Sequence, residues 1–133
     1  MQFRPKGENM MNTKLSDAEY RFIEEIWRIE PVKSSVLVGL CREKFGWKKS
    51  TTYTVIKNLI NKGALVNEDT IVRSLVTRED IARAEGNEIA DKAFNGNVLD
   101  MFAAFLQDRK LTREEYLKLE KLINEAYKGQ EEE

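Results

Sequence analysis

The chain has 133 residues, 41% hydrophobic and 34% charged, with a net charge of −1. That length fits one domain or two small ones sharing a core, and the apolar share excludes a wholly disordered chain. One cysteine, Cys41, and no histidine exclude a disulfide scaffold, a Cys/His zinc site and Ser-His or Cys-His catalysis, so a binding protein without metal or cofactor is expected, not an enzyme.

Residues 1–14 lack hydrophobic periodicity and are expected to form a disordered tail. The first thirteen hold no apolar signal-peptide core, and the longest apolar run, Met101 to Leu106, spans six residues. A membrane helix needs about 18, so a cytoplasmic protein without a membrane segment is expected. Ser16 and Glu19 have the spacing of a capping box, with Leu15 and Tyr20 as its staple. Tyr20, Ile23, Ile26 and Trp27 follow at helical spacing until Glu30-Pro31 stops the helix. Ser34 or Ser35 is placed to cap a second helix, with Val36, Leu37, Leu40 and Cys41 facing inward, and Gly46-Trp47 ends it. A third helix is predicted over 49–62, closed by Gly63 in the left-handed position that follows many helices. Leu65-Val66 and Ile71 to Val76 are β-prone runs around a turn at Asn67-Glu68-Asp69-Thr70. Three helices and a hairpin in this order suit a winged helix-turn-helix, among other small α+β arrangements.

Charge is distributed unevenly over these elements. Residues 32–67 hold seven basic and one acidic side chain, and none from Lys44 to Asn67 is acidic. Such a stretch is the footprint expected of a polyanion site, because each phosphate neutralised releases counterions. Advancing about 100° per residue along the third helix places Ser50, Thr51, Tyr53, Thr54, Lys57, Asn58 and Asn61 on one side. Thr52, Val55, Ile56, Leu59 and Ile60 fall on the other. Hydroxyls, amides and lysine without a carboxylate can address phosphates or base edges. Lys48, Lys49 and Ser50 stand at the amino end, where free N–H groups also favour an anion.

Beyond Thr77 the chain is helical again, with a capping box at Thr77 to Asp80 and a helix to about Phe94. A turn at Asn95-Gly96-Asn97 leads into a helix over 98–107, and Thr112 to Glu115 caps a last helix to about Tyr127. Val98, Leu99, Met101, Phe102, Ala103, Ala104, Phe105 and Leu106 are apolar, so this short helix must be covered nearly all round. Either the amino-terminal part of the same chain covers it or a second copy does across a twofold interface. The second is expected, with Val98, Met101, Phe102, Phe105, Leu106, Leu119 and Leu122 in the interface. Cys41 reads as a small buried hydrophobe.

The stretches LSDAEYRFIEEIW, FGWKKSTTYTVIKNLINKGAL, FNGNVLDMFAAFL and LTREEYLKLEKLI resemble the penicillinase-repressor (BlaI/MecI) family of bacterial transcriptional regulators, from about Leu15 to Tyr127. The resemblance implies a homodimeric repressor of a double-stranded DNA operator, with Thr51, Tyr53 and Thr54 on DNA and the neighbouring lysines on phosphate. It also implies a regulatory protease that cuts an Asn-Phe bond in the dimer helix; the aligning bond here is Ala104-Phe105. The paired CxC motifs of the copper-responsive branch do not occur. Where the family wing has a Gly-Arg turn and a tyrosine, this chain has Glu68-Asp69, with Arg73 as its one basic residue.

The expected architecture is therefore mainly α with a small β-hairpin. A disordered tail (1–14) precedes a winged helix-turn-helix (15–77), a helical dimerisation region (78–128) and an acidic, frayed tail (129–133). Lys48, Lys49, Ser50, Thr51, Tyr53, Thr54, Lys57 and Arg73 are the expected DNA contacts. A winged-helix protein-interaction module that does not bind DNA is the alternative, favoured by the acidic wing.

Overall fold

The structure, a computed structural model, describes residues 14–131. The expected tail over 1–13, and residues 132–133, lie outside them. In chain order the elements are α1 (Asp17–Ile29), β1 (Val32–Lys33), α2 (Ser34–Phe45), α3 (Lys49–Asn61), β2 (Leu65–Glu68), β3 (Ile71–Ser74), α4 (Arg78–Phe94), α5 (Val98–Leu106) and α6 (Arg113–Glu131). This is the expected mainly helical winged-helix architecture, with one strand more than predicted. α6 continues past Tyr127 into the segment expected to fray.

One core holds the amino-terminal two thirds together. Phe22, Ile23 and Ile26 of α1, Leu37 and Cys41 of α2, and Ile56 and Leu59 of α3 meet Leu65, Val72 and Val76 from the hairpin, and Ile81 from the first turns of α4. Past Ile81 the one described hydrophobic side chain that is buried is Ala90. The N-terminal half of α4 is fixed to this core by polar contacts as well. The Trp27 indole N–H donates to the Val76 carbonyl at 3.0 Å. Arg78 donates to the Tyr20 hydroxyl and to Glu24, and its guanidinium lies over the Tyr20 and Trp27 rings.

The sheet order is β1-β3-β2, antiparallel throughout. β1 was not foreseen: its two residues are too few for an alternating pattern, and pairing of Val32 with Val72 and Lys33 with Ile71 creates it. That pairing also corrects the start of α2. Neither Ser34 nor Ser35 caps the helix; Ser34 is its first residue, Lys33 is the N-cap, and no side chain bonds there. The Ser34 N–H is already taken by the Thr70 carbonyl of the hairpin, at 2.9 Å. The hairpin turn is tighter than predicted, with β2 running through Glu68 and only Asp69 and Thr70 at the tip. Both have positive φ, +52° and +66°, the mirror-image turn whose twist suits two-residue hairpins. The Glu30 carboxylate then secures the far end of β3, accepting from the Ser74 N–H at 2.7 Å and from its hydroxyl.

The capping box at the start of α1 is formed, and it has a second task. Glu19 accepts from the Ser16 N–H at 2.8 Å and from the Lys62 ammonium at 2.6 Å, tying the start of α1 to the end of α3. Burial pushes the Glu19 carboxyl up, but the Lys62 ammonium and the Ser16 N–H outweigh it and hold the group below the ordinary carboxyl value. A carboxyl lowered on folding adds stability above its unfolded pKa, and that contribution disappears as pH falls through the lower, folded value. Glu19→Gln preserves the cap and removes the charge. It is expected to cost about 1–2 kcal/mol at pH 7, a deficit that narrows in urea titrations as pH drops below the ordinary carboxyl range. A deficit independent of pH would show that the ion pair contributes nothing.

Candidate nucleic-acid interface

The turn between α2 and α3 decides where α3 begins. Gly46, at φ +69°, closes α2 in the left-handed conformation that a Cβ would disfavour. Trp47 follows and stacks on Phe22, with ring centroids 5.9 Å apart, and against Phe45 at 4.9 Å. The aromatic anchor thus pins the turn to α1, and the next residues, Lys48 and Lys49, open α3 into solvent.

α3 divides as its sequence predicts. Thr52, Val55, Ile56 and Leu59 are buried, while Ser50, Thr51, Tyr53, Thr54, Lys57, Asn58 and Asn61 are exposed. The face carries no carboxylate of its own, because α3 contains none. Tyr53 is a large aromatic side chain 39% exposed on this face. The exposed Thr54 spends its hydroxyl proton on the Ser50 carbonyl at 2.9 Å, so the oxygen is left to act as an acceptor. The buried Thr52 hydroxyl completes no hydrogen bond of good geometry. Its polar neighbour is Cys41, whose thiol burial pushes up, Thr52 pulls partly back and Glu25 raises again; a thiol so held is a packing group.

Two lysines of the acid-free stretch are used structurally. Lys44 is paired with Glu25 at 3.0 Å and Lys62 with Glu19. Lys48, Lys49 and Lys57 are exposed and, among the described residues, pair with no carboxylate. Arg73 is held by Glu68 across the hairpin at 3.3 Å. Sequence reasoning missed Lys33, exposed at the amino end of α2. No local signal marked it, because Ser34 and Ser35 offered the sequence a side-chain cap that the fold does not form. Indeed α2 and α3 lack a side-chain cap, whereas Ser16, Thr77, Asn97 and Thr112 cap α1, α4, α5 and α6. Uncapped helix ends leave N–H groups and a positive dipole end open to an anion.

Of the expected interface residues of the carboxy-terminal helices, Val98, Phe102, Phe105, Leu106, Leu119 and Leu122 line one apolar groove, and Met101 does not. Val98, Phe102, Phe105 and Leu106 of α5 and Leu122 of α6 are exposed, Met101 and Leu119 are half-buried, and no residue of α5 is buried. The amino-terminal core therefore does not cover α5. Among the described residues no cluster of three or more His, Cys, Asp or Glu is placed to hold a metal, and no helix is long and apolar enough to cross a membrane.

A helix-turn-helix whose second helix offers a polar, acid-free face beside a β-hairpin defines a winged-helix DNA-binding protein. The sequence model of the penicillinase repressor family matches residues 15–125. The chain belongs to that family of transcriptional repressors. It is 23% identical over 116 residues to the penicillinase repressor of Bacillus licheniformis, an alignment covering 84% of this chain and 91% of the relative. Among solved structures it is similar to the PcaV transcriptional regulator of Streptomyces coelicolor, at 17% identity and a TM-score of 0.39, covering 90% of this chain and 79% of that one.

Proposed function

We propose that the protein is a cytoplasmic, homodimeric repressor that reads an operator through the major groove with α3. The observation that carries this reading is the exposed, carboxylate-free face of α3, with Lys48 and Lys49, which pair with no carboxylate among the described residues, at its amino end. Lys48, Lys49 and Lys57 bind phosphates, joined by the N–H groups at the start of α3. Ser50, Thr51, Tyr53 and Thr54 meet base edges or sugar, and Arg73 approaches phosphate only by loosening its pair with Glu68. Residues 15–77 form the reading head and residues 78–128 the dimerisation region. In the dimer the two α3 helices are expected about 34–36 Å apart, one turn of duplex. A regulatory protease acting at Ala104-Phe105 is a further proposal; both residues are exposed in the single chain, and Phe105 lies on the face proposed for the dimer, so the bond is open to cleavage when that face is uncovered.

Titration of the protein with a duplex at two salt concentrations tests the reading. Affinity should fall steeply as salt rises, with a slope of about 0.9 in log–log terms per phosphate neutralised. Absence of binding at low salt would favour the other reading, a protein-interaction module, to which the acidic hairpin tip is better suited.

A further inference from the structure

The hairpin tip carries the first carboxylates after the acid-free stretch, and the fold brings them to a particular place. Thr70, at the tip, accepts the N–H of Ser34, the first residue of α2. Across the sheet, Lys33 and Glu68 both stand opposite Ile71, one on each side. Two strand spacings separate them, about 10 Å, and both are exposed. The acidic tip therefore lies beside the amino end of α2, one of the two helix ends without a side-chain cap. There the helix dipole and Lys33 would otherwise draw a phosphate. Glu68 also occupies Arg73 at 3.3 Å. Asp69 is exposed and, among the described residues, has no ion-pair partner.

We propose that Glu68 and Asp69 are an electrostatic brake on DNA binding: they place negative potential where a phosphate strand would pass the amino end of α2, lowering affinity for every duplex and leaving discrimination to α3. The inference rests on the DNA-binding reading above. Its consequence is occupancy: a repulsive element that weakens all sites alike shortens the stay on every duplex and leaves the ratio of operator to random affinity to the base contacts of α3.

The experiment compares the full-length chain with Glu68→Gln/Asp69→Asn, by fluorescence anisotropy on a random-sequence duplex of about 30 base pairs. A second variant, Asp69→Asn, leaves the Glu68–Arg73 pair intact and suits the positive φ that asparagine tolerates. A control, Glu85→Gln/Glu88→Gln, removes equal charge from another element, α4. Each charge removed at the tip should tighten binding roughly two- to threefold at low salt, and both together roughly five- to tenfold, with a gain that shrinks as salt screens it. Equal affinity of the tip variants and the wild type, or an equal gain in the α4 control, overturns the brake. If the wild type binds the duplex with a steep salt dependence, such a result leaves the DNA-binding reading intact. If neither the wild type nor any variant binds, that reading fails and the brake with it.

Discussion

Phe102→Asp is expected to turn the proposed dimer into a monomer. In a single chain the apolar surface of α5 and α6 is open, with Leu99 80%, Phe102 50% and Phe105 49% exposed and Leu122 and Ile123 further along the same groove. A soluble protein rarely leaves so contiguous an apolar patch uncovered. Burying each such side chain contributes about 1.5–3 kcal/mol, whereas burying an aspartate without a partner costs several. One substitution near the middle of α5 therefore outweighs its neighbours. Phe102 packs on nothing buried in the chain's own core, so circular dichroism and the thermal transition of the reading head should be unaffected. Sedimentation equilibrium should report one chain of 15.5 kDa in place of two. Affinity for a duplex with two half-sites should drop by about 10²–10⁴, because the second head then gains nothing from the binding of the first. An unchanged mass would mean that α5 is covered some other way.

The second large effect concerns α3, where two kinds of substitution should separate cleanly. Lys48→Ala with Lys49→Ala removes two exposed charges at the amino end of the helix without touching the core. It should weaken binding to every sequence and flatten the salt slope by about 2, about one unit per lost phosphate contact. Tyr53→Ala or Thr54→Ala removes no charge. The salt slope should then stay, while the preference for the operator over a random duplex falls by about 1–3 kcal/mol per lost base contact. Wild-type affinity in the lysine variant would remove these residues from the interface. A change of salt slope in the Tyr53 or Thr54 variants would assign them to the backbone instead.

Much of the site was legible before any coordinates. The polar and apolar sides of α3 separate at the residues that a helical period places there, because burial in a helix follows its 3.6-residue repeat whatever covers the apolar side. The capping boxes at Ser16, Thr77 and Thr112 were readable for a similar reason: each is closed within four residues and needs no distant partner. Which lysines are free was not readable. Lys44 and Lys62 look the same as Lys48 and Lys49 in a charge count, but Glu25 and Glu19 reach them across 19 and 43 residues of chain. A carboxylate supplied by another helix leaves no mark on the local charge pattern.

Sequence alone determined the helices, the capping boxes of α1, α4 and α6, the acid-free stretch and the apolar character of α5, all properties that neighbours within one or two turns decide. Tertiary structure decided the rest: β1 exists only through Val72 and Ile71, Lys33 becomes the N-cap of α2 only because Thr70 takes the Ser34 N–H, and the acidic tip meets that helix end only through the sheet. These are pairings between residues far apart in the chain, and their energy depends on a backbone that has already come together. Periodicity sees the period of a helix or a strand; it is blind to what the fold sets beside it.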